Sequence, residues 1–534
     1  MPTAILLQDL ITSAAARDPT QTAVIYGSQS LAYATLAQRV SEFANGVLTL
    51  GLGRTARIAI YLEKRLETVI ASFGATAAGC VFVPINALLK PDQVGYLLRD
   101  CNVGLLVTSA ERLALLQPTL ASCPDLRHVV VVGEGIPADD ASTSITWQQL
   151  LSAPSRAAPR LIDMDMAAIL YTSGSTGQPK GVVLSHRNLV AGATSVASYL
   201  ANNAEDTLLA ALPLSFDAGF SQLTTAFSVG ARVVLINYLL PRDVLNALER
   251  ERVTGLTAVP PLYIQLAQLK WSPAITTHLR YFANTGGRLP RDTLATLRRH
   301  LPRSKPFLMY GLTEAFRSTF LPPEEIDRRP DSIGKAIPNA EILVLRDDGS
   351  PCQPEEIGEL VHRGALVALG YWNDPEKTAE RYKPLPLGVG GRESGLVLPE
   401  LAVFSGDNVR ADAAGFLYFV GRRDEMIKTS GYRVSPTEIE EIFYSTPGVN
   451  EVAAFGVDHP RLGQAIVVVA TPKSGVTLTP ADLLAATRQH LPAYMVPSQV
   501  DIRTGTLPRN PNGKIDRKAL SSEFTDLFRG PDPR

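Results

Sequence analysis

The feature that most restricts how this chain can fold is a repeated alternation of short apolar runs with longer stretches of helical period. RIAIY at residues 57–61 reads as a strand, Leu66, Val69, Ile70 and Phe73 share one helix face, and CVFVP at residues 80–84 is a strand again. The series continues at residues 104–108 and 128–132, then at 208–212, 232–236, 256–259, 280–284 and 306–310. Such alternation predicts βαβ units and parallel-rich sheets covered by helices, here in two related halves of similar size. Residues 138–159, rich in Ser, Ala, Pro and Asp, read as a surface connection.

From about Ile333 the texture changes to short β segments, AEILVLRDDGS with a turn at residues 347–349, and GELVHRG. Residues 388–395 read as a glycine-rich loop whose GVGG fails the dinucleotide spacing GxGxxG, because Glu393 stands at the last glycine's place. Beyond Val420 a concentrated polar segment enters a small α+β module. Ser435, Pro436 and Glu438 predict an N-cap, a first-turn proline and a capping-box partner for the helix TEIEEIFY. Strands at 449–457 and 465–471 and a helix at 480–490 complete that module. The fold class is therefore α/β. A large N-terminal domain (residues 1–423) holds two βα subdomains and a small β-rich one, a small α+β domain follows (424–529), and 530–534 form a tail. At about 150 residues per domain, a chain of 534 residues is expected to hold two to four domains.

Near-equal charge, 51 basic against 52 acidic residues, gives no electrostatic footprint for nucleic acid or an anionic membrane. Cys80, Cys101, Cys123 and Cys352 are widely spaced with no CxxC pair, which points away from a zinc site or disulfide framework and toward a reduced, cytoplasmic setting. The opening MPTAILLQDLI has no basic leader, and Gln8 and Asp9 interrupt its apolar stretch, so it does not read as a signal peptide. No apolar run approaches the ~20 residues that span a bilayer.

No ordinary element accounts for TSGSTGQPKG at residues 172–181. Its left flank, 167–171, is strand-like, and the right flank reads as a helix opening on SHRNLV. Strand, polar glycine-rich loop and helix is an arrangement in which backbone N–H groups and hydroxyls surround phosphate oxygens. It is not a Walker loop, since neither Gly174 nor Gly177 meets the GxxxxGK[ST] spacing and Gly181 follows Lys180. A surface loop of small residues fits the same composition. Four further stretches carry unusual chemistry: YGLTEAFR at 310–317, Gly406–Asp407, Arg422 at the domain junction, and Lys514 within LPRNPNGKIDRKAL. Singly, each reads equally as core, turn or solvated charge.

Together, TSGSTGQPKG, YGLTE, the Asp407 region, GRRDEMIKTSGYRVSPTEIE and NGKIDR resemble the adenylate-forming (AMP-binding) superfamily of acyl-CoA synthetases, amino-acid adenylation domains and luciferases, from about residue 10 to 520. Within it the chain is most similar to acyl-CoA ligases found beside exosortase gene sets. The resemblance implies a soluble enzyme that joins a carboxylic acid to AMP with release of pyrophosphate, then passes the acyl group to CoA or to a carrier protein's phosphopantetheine. It implies ATP contacts at Thr172, Ser173, Gly174, Ser175, Thr176, Gly177 and Lys180 for the β- and γ-phosphates. Gly286, Gly287, Arg288, Tyr310 and Gly311 would lie around adenine, with Thr313 at the α-phosphate, Glu314 on Mg²⁺, and Asp407 with Arg422 on the ribose. Thr176, Lys180, Glu314 and Lys514 would be catalytic, Lys514 bridging the attacking carboxylate and the phosphate. Asp424 would be the hinge of a mobile small domain and Gly431 would line the thiol tunnel.

LPLSFDAGF at residues 212–220 has Phe216 and Asp217 where many acyl-CoA synthetases carry a histidine motif, as amino-acid adenylation domains do. Asp217 would pair with a substrate ammonium or, alternatively, cap the following helix. By the same resemblance Ser221, Met309, Arg317 and Ser318 line the acyl pocket. A guanidinium there binds a second carboxylate or, alternatively, a neighbouring glutamate or solvent. An amino acid or amino dicarboxylate is the expected acid, with a medium- or long-chain fatty acid the alternative. A nucleotide-binding chain without catalysis and a luciferase-like oxygenase are further alternatives.

Overall fold

A computed structural model describes residues 4–133, 144–172, 179–391, 395, 400–423, 425–429, 432–491, 493–510 and 513–528. The first expected half is an 8-stranded sheet in which Val81–Pro84, Arg57–Tyr61, Val103–Ser109, His128–Val132 and Ser144–Thr146 run parallel. Val103–Ser109 is buried at every position, as a strand covered by helices on both faces must be. The second half is built on Thr207–Ala210, Arg232–Leu235, Gly255–Ala258, Tyr281–Asn284 and Lys305–Tyr310, also parallel. The halves interleave, because the early strand Thr22–Tyr26 pairs with Arg232–Leu235 of the second sheet. Antiparallel strands from Thr319–Leu321 onward extend that sheet to 14 strands and supply the β-rich subdomain. Residues from Ile427–Thr429 onward form a separate 5-stranded sheet with its own apolar core, which includes Ile439, Phe443, Val468 and Leu483. Among the described residues no helix is long and apolar enough to cross a membrane.

Three local expectations need correction. The helix His186–Tyr199 opens where expected, with Ser185 at its N-cap, but Lys180–Ser185 before it is a strand paired antiparallel with Met166–Thr172. A strand rather than a helix therefore follows residues 173–178, and Thr172 pairs with Lys180 on either side of them. Residues 144–159 are more than a connection: Ser144–Thr146 extends the first sheet and Trp147–Leu151 is a helix with a Thr146/Gln149 capping box. Ser435 stands at the N-cap of Pro436–Ser445 without a side-chain capping bond, its buried Oγ lying against Gly421 instead.

The turn that follows Thr207–Ala210 leads into the helix Asp217–Val229, and a lysine missed in the sequence supports it. Lys64 is 8% exposed and its Nζ donates to the carbonyls of Ala211 (2.8 Å) and Leu212 (3.5 Å). Burial alone pushes its ammonium down to about 7. The unfolded chain holds this proton up to about 10.5, so between those limits it binds more protons than the fold does, and stability rises with pH. We expect Lys64→Met to remove a slope of up to ~1.4 kcal/mol per pH unit above pH 7, read from denaturant melts between neutral pH and pH 9.5. An unchanged slope would show that Lys64 is not the titrating group.

Candidate active site

The C-terminal ends of the parallel strands, where ligands bind in open α/β sheets, carry most of the expected residues. Thr172 ends one strand and stands opposite Lys180 in register at the base of the hairpin. Ser173, Gly174, Ser175, Thr176, Gly177, Asp424 and Gly431 lie outside the described residues. Tyr281–Asn284 ends in a turn where Asn284 Nδ2 donates to the Gly287 carbonyl (2.7 Å) and Gly286 takes a φ of 76°, a conformation that favours glycine. Arg288 pairs with Asp331 (2.5 Å) and meets Glu441 of the small domain.

Lys305–Tyr310 ends at Tyr310, whose hydroxyl donates to the Asp407 carboxylate. Asp407 is 6% exposed, and burial pushes its carboxyl above the usual range against the opposing fields of Arg422, the Tyr310 hydroxyl, Lys514 and Arg381. Arg422 Nε lies 3.5 Å from Asp407. After Tyr310 the chain passes Gly311, where a Cβ would lie 3.2 Å from the Arg317 Cα, and makes one turn of 3₁₀ helix at Thr313–Ala315. Glu314 Oε1 accepts from the Tyr371 hydroxyl at 2.7 Å, and its other oxygen has no protein partner among the described residues. Phe316 then takes a φ of 54°, unusual for a bulky residue, with its ring set against Gly192, and this bend turns Arg317 inward.

Arg317 is 3% exposed and reaches Asp217 (3.3 Å), while its buried Nε has no partner. The two expected pocket charges therefore face each other, which neither sequence alternative anticipated. Asp217 is the first residue of the helix Asp217–Val229, with Phe216 at the N-cap, and no side-chain capping bond forms there. Ala218, Ser221, Gln222, Thr225, Met309 and Arg317 are among the residues around a cavity of about 20 Å³, about the room one water needs. Phe216, Asp217 and Ser318 are not in its lining. The Ser318 hydroxyl is instead 3.0 Å from Nδ1 of the buried His362, whose pKa burial lowers to about 3. Tyr199 stacks on Phe320 and donates to Met309 Sδ (3.0 Å), walling the region behind the cavity with aromatic rings.

The small domain brings Lys514 to this cleft. Its loop is closed by a bridge between Arg509 and Ile515 and by Asn510, which exchanges bonds with the Lys514 backbone (2.9 and 3.1 Å). Buried Glu451 holds the base through Leu507 N (2.7 Å) and Arg509, and Arg517 is bound bidentately by Glu440 (2.7 and 2.8 Å) and reaches Glu425 (3.1 Å). Lys514 keeps solvent access but is crowded by protein. Desolvation and then Arg422 lower its pKa, while Asp217, Asp407 and Glu425 act against that shift. One ammonium thus lies in the fields of both Asp217 and Asp407.

Mg²⁺ fits this donor set. It is usually held by one or two carboxylates plus substrate phosphates rather than by an all-protein cage, and Glu314 offers one positioned carboxylate with a free oxygen. Among the described residues no three His, Cys, Asp or Glu side chains gather into a metal site.

A large α/β domain followed by a small one that brings a lysine to the ends of its strands is the architecture of a two-domain, adenylate-forming ligase. The chain belongs to the AMP-binding enzyme family, whose model matches residues 11–372, with the AMP-binding enzyme C-terminal domain at 438–514. It is 32% identical over 515 residues to a feruloyl-CoA synthase of Amycolatopsis, covering 95% of this chain and 96% of that one. The anthranilate CoA ligase AuaEII, solved with anthranoyl-AMP, is 25% identical with a TM-score of 0.86, covering 98% of each chain. The o-succinylbenzoate CoA synthetase of Bacillus subtilis, solved with ATP and magnesium, is 25% identical with a TM-score of 0.80, covering 96% of this chain and 98% of that one.

Lys64, Tyr371, Arg381 and His362 were not singled out by sequence reasoning. Each gains its meaning only from neighbours distant in sequence.

Proposed function

We propose that this AMP-forming acid–thiol ligase activates a small polar acid carrying an amino group, an amino acid or amino dicarboxylate, and passes the acyl group to coenzyme A. The observation that carries the reading of the acid is the Asp217–Arg317 pair, in which the buried Arg317 lines the cavity and the half-buried Asp217 stands just outside its lining. A substrate ammonium on Asp217 and a second carboxylate on Arg317 replace that pair without leaving either charge unpaired, which a fatty chain would not do. The cavity, lined by Val196, Leu200, Leu208 and Leu209 as well as by polar side chains, is too small for a long chain, and the aromatic wall behind it leaves no path for one.

In the first step a substrate carboxylate oxygen attacks the α-phosphorus of ATP, the bond to the β-phosphate's bridging oxygen breaks, and pyrophosphate leaves. Two anions meet, and Lys514 lies between them and neutralises the growing charge. Lys180, with Thr172 at the hairpin base, attracts the departing pyrophosphate. Gly286, Gly287 and the Tyr310 ring bound the adenine space, and Asp407, steadied by Tyr310 and Arg422, takes ribose hydroxyls. Glu314 and Thr313 face the phosphates. Mg²⁺, when bound, supplies neutralisation of phosphate charge. In the second step the thiol sulfur attacks the acyl carbon, the bond to AMP breaks and the thiol proton goes to solvent. The small domain, from about residue 424, turns about Asp424 to admit the thiol past Gly431.

CoA as acceptor is supported by the named relatives, all of which are CoA enzymes. The test is AMP release across a panel of amino, dicarboxylic, aromatic and fatty acids, with CoA and with a holo carrier protein. Amino or amino dicarboxylic acids with CoA should give the highest kcat/KM. Preference for plain fatty acids would overturn the acid, and turnover only with the carrier protein would overturn the acceptor.

A further inference from the structure

Lys180 and Glu314 carry opposite charges on the same cleft, yet among the described residues neither forms an ion pair. Tyr371 stands between them. Its hydroxyl donates to Glu314 Oε1 (2.7 Å), and the Lys180 Nζ lies over its ring, 5.5 Å from the centroid. A phenol suits both neighbours, because the ring face attracts a cation while the O–H serves a carboxylate.

The backbone fixes this ring unusually well. Gly370–Tyr371 is a two-residue strand paired antiparallel with Lys180–Ser185, Tyr371 opposite Val182. Leu369 N donates to the Val183 carbonyl (2.8 Å) and Trp372 N to that of Gly181 (2.7 Å), so the strand that starts at Lys180 also sets the height of Tyr371. Gly370 has a φ of 128°, and a Cβ there would lie 2.7 Å from Thr378 Cγ2; the Thr378 Oγ1 accepts from Tyr371 N at 2.9 Å. Tyr382 packs edge-on against the Tyr371 ring (5.7 Å, 79°), and the Arg381 guanidinium lies beside its hydroxyl. Tyr371 itself is 9% exposed.

We propose that Tyr371 is a positioning residue that keeps the Lys180 ammonium and the Glu314 carboxylate from pairing with each other, so that both stay open to the leaving pyrophosphate and its counter-cation. The inference rests on the assignment of Lys180 to pyrophosphate and Glu314 to Mg²⁺ given above. Without the spacer, two flexible opposite charges at one cleft close on each other, and each ligand must break that pair before it binds.

The test is binding rather than turnover, on the full chain. Pyrophosphate affinity is measured by calorimetry, and Mg²⁺ affinity by titration in the presence of a non-hydrolysable ATP analogue. Tyr371→Phe keeps the ring and removes only the hydroxyl, a change the fold readily tolerates. It should weaken Mg²⁺ roughly tenfold, the worth of a hydrogen bond to a charged group, and leave pyrophosphate affinity unchanged. Tyr371→Leu removes the ring as well and should weaken both ligands. Equal loss of both ligands in Tyr371→Phe, or wild-type affinities in Tyr371→Leu, would overturn the role. Glu314→Gln and Lys180→Met are the references. If they weaken Mg²⁺ and pyrophosphate respectively while the tyrosine variants do not, the positioning role alone falls. If the references change neither affinity, the underlying assignment falls with it.

Discussion

Lys514→Ala should lower ATP–pyrophosphate exchange by ~10²–10³, the usual cost of losing one preorganised donor at a developing charge. Thioester formation from supplied acyl-AMP should change by no more than about threefold, since the lysine has no charge to neutralise once pyrophosphate has gone. The fold should survive, because the loop's shape depends on the Asn510 bonds, on Glu451 with Arg509, and on the Arg517–Glu440 pair rather than on the Lys514 side chain. Lys514→Arg should rescue poorly, since a planar fork does not replace a compact ammonium between two oxyanions. Equal loss in both half-reactions, or a lowered Tm in the alanine variant, would mean that Lys514 props the domain rather than serving the transfer.

The parallel strands were legible because burial on both faces writes them as continuous apolar runs, as in Val103–Ser109 and His128–Val132. The hairpin after the glycine-rich loop was not, because its apolar residues are few and sit immediately before Ser185, a true N-cap whose hydroxyl accepts from Asn188 N. That cap fixed the helix start correctly, but the short run between the loop and the cap carried too little signal to read as a strand. Ser435 shows the converse, a capping-box spacing that tertiary burial against Gly421 overrides. In the site, residues with charge or glycine in a distinctive run could be flagged one at a time. The contacts between them could not, since Tyr371 with Glu314, Lys64 with Ala211, and Arg317 with Asp217 are joined only by the fold. Ser318 was named for its place in a run, and its hydroxyl belongs to His362.

The Asp217–Arg317 pair allows the substrate reading to be separated from a structural one. Asp217→Asn leaves a guanidinium that is 3% exposed with no counter-charge, and Arg317→Met leaves the carboxylate, 16% exposed, beside an apolar side chain. Removing one partner of a buried charge pair costs about 2–5 kcal/mol, and the partial exposure of Asp217 places Arg317→Met toward the lower end. In each single variant the substrate's ammonium or second carboxylate also loses its partner, so kcat/KM for the preferred acid should fall at least about 30-fold. Asp217→Leu combined with Arg317→Met removes both charges and should recover stability, since apolar side chains of similar volume often replace a buried pair at no net cost. Its preference should move to uncharged acids, because the charges that selected an ammonium and a carboxylate are gone. If the double variant regains stability and keeps the wild-type order of acids across the panel, the pair braces the helix Asp217–Val229 against the Phe316 bend and does not read the substrate. If the order inverts, the buried pair is the selector, and the ligase recognises its acid by exchanging an internal ion pair for two external ones.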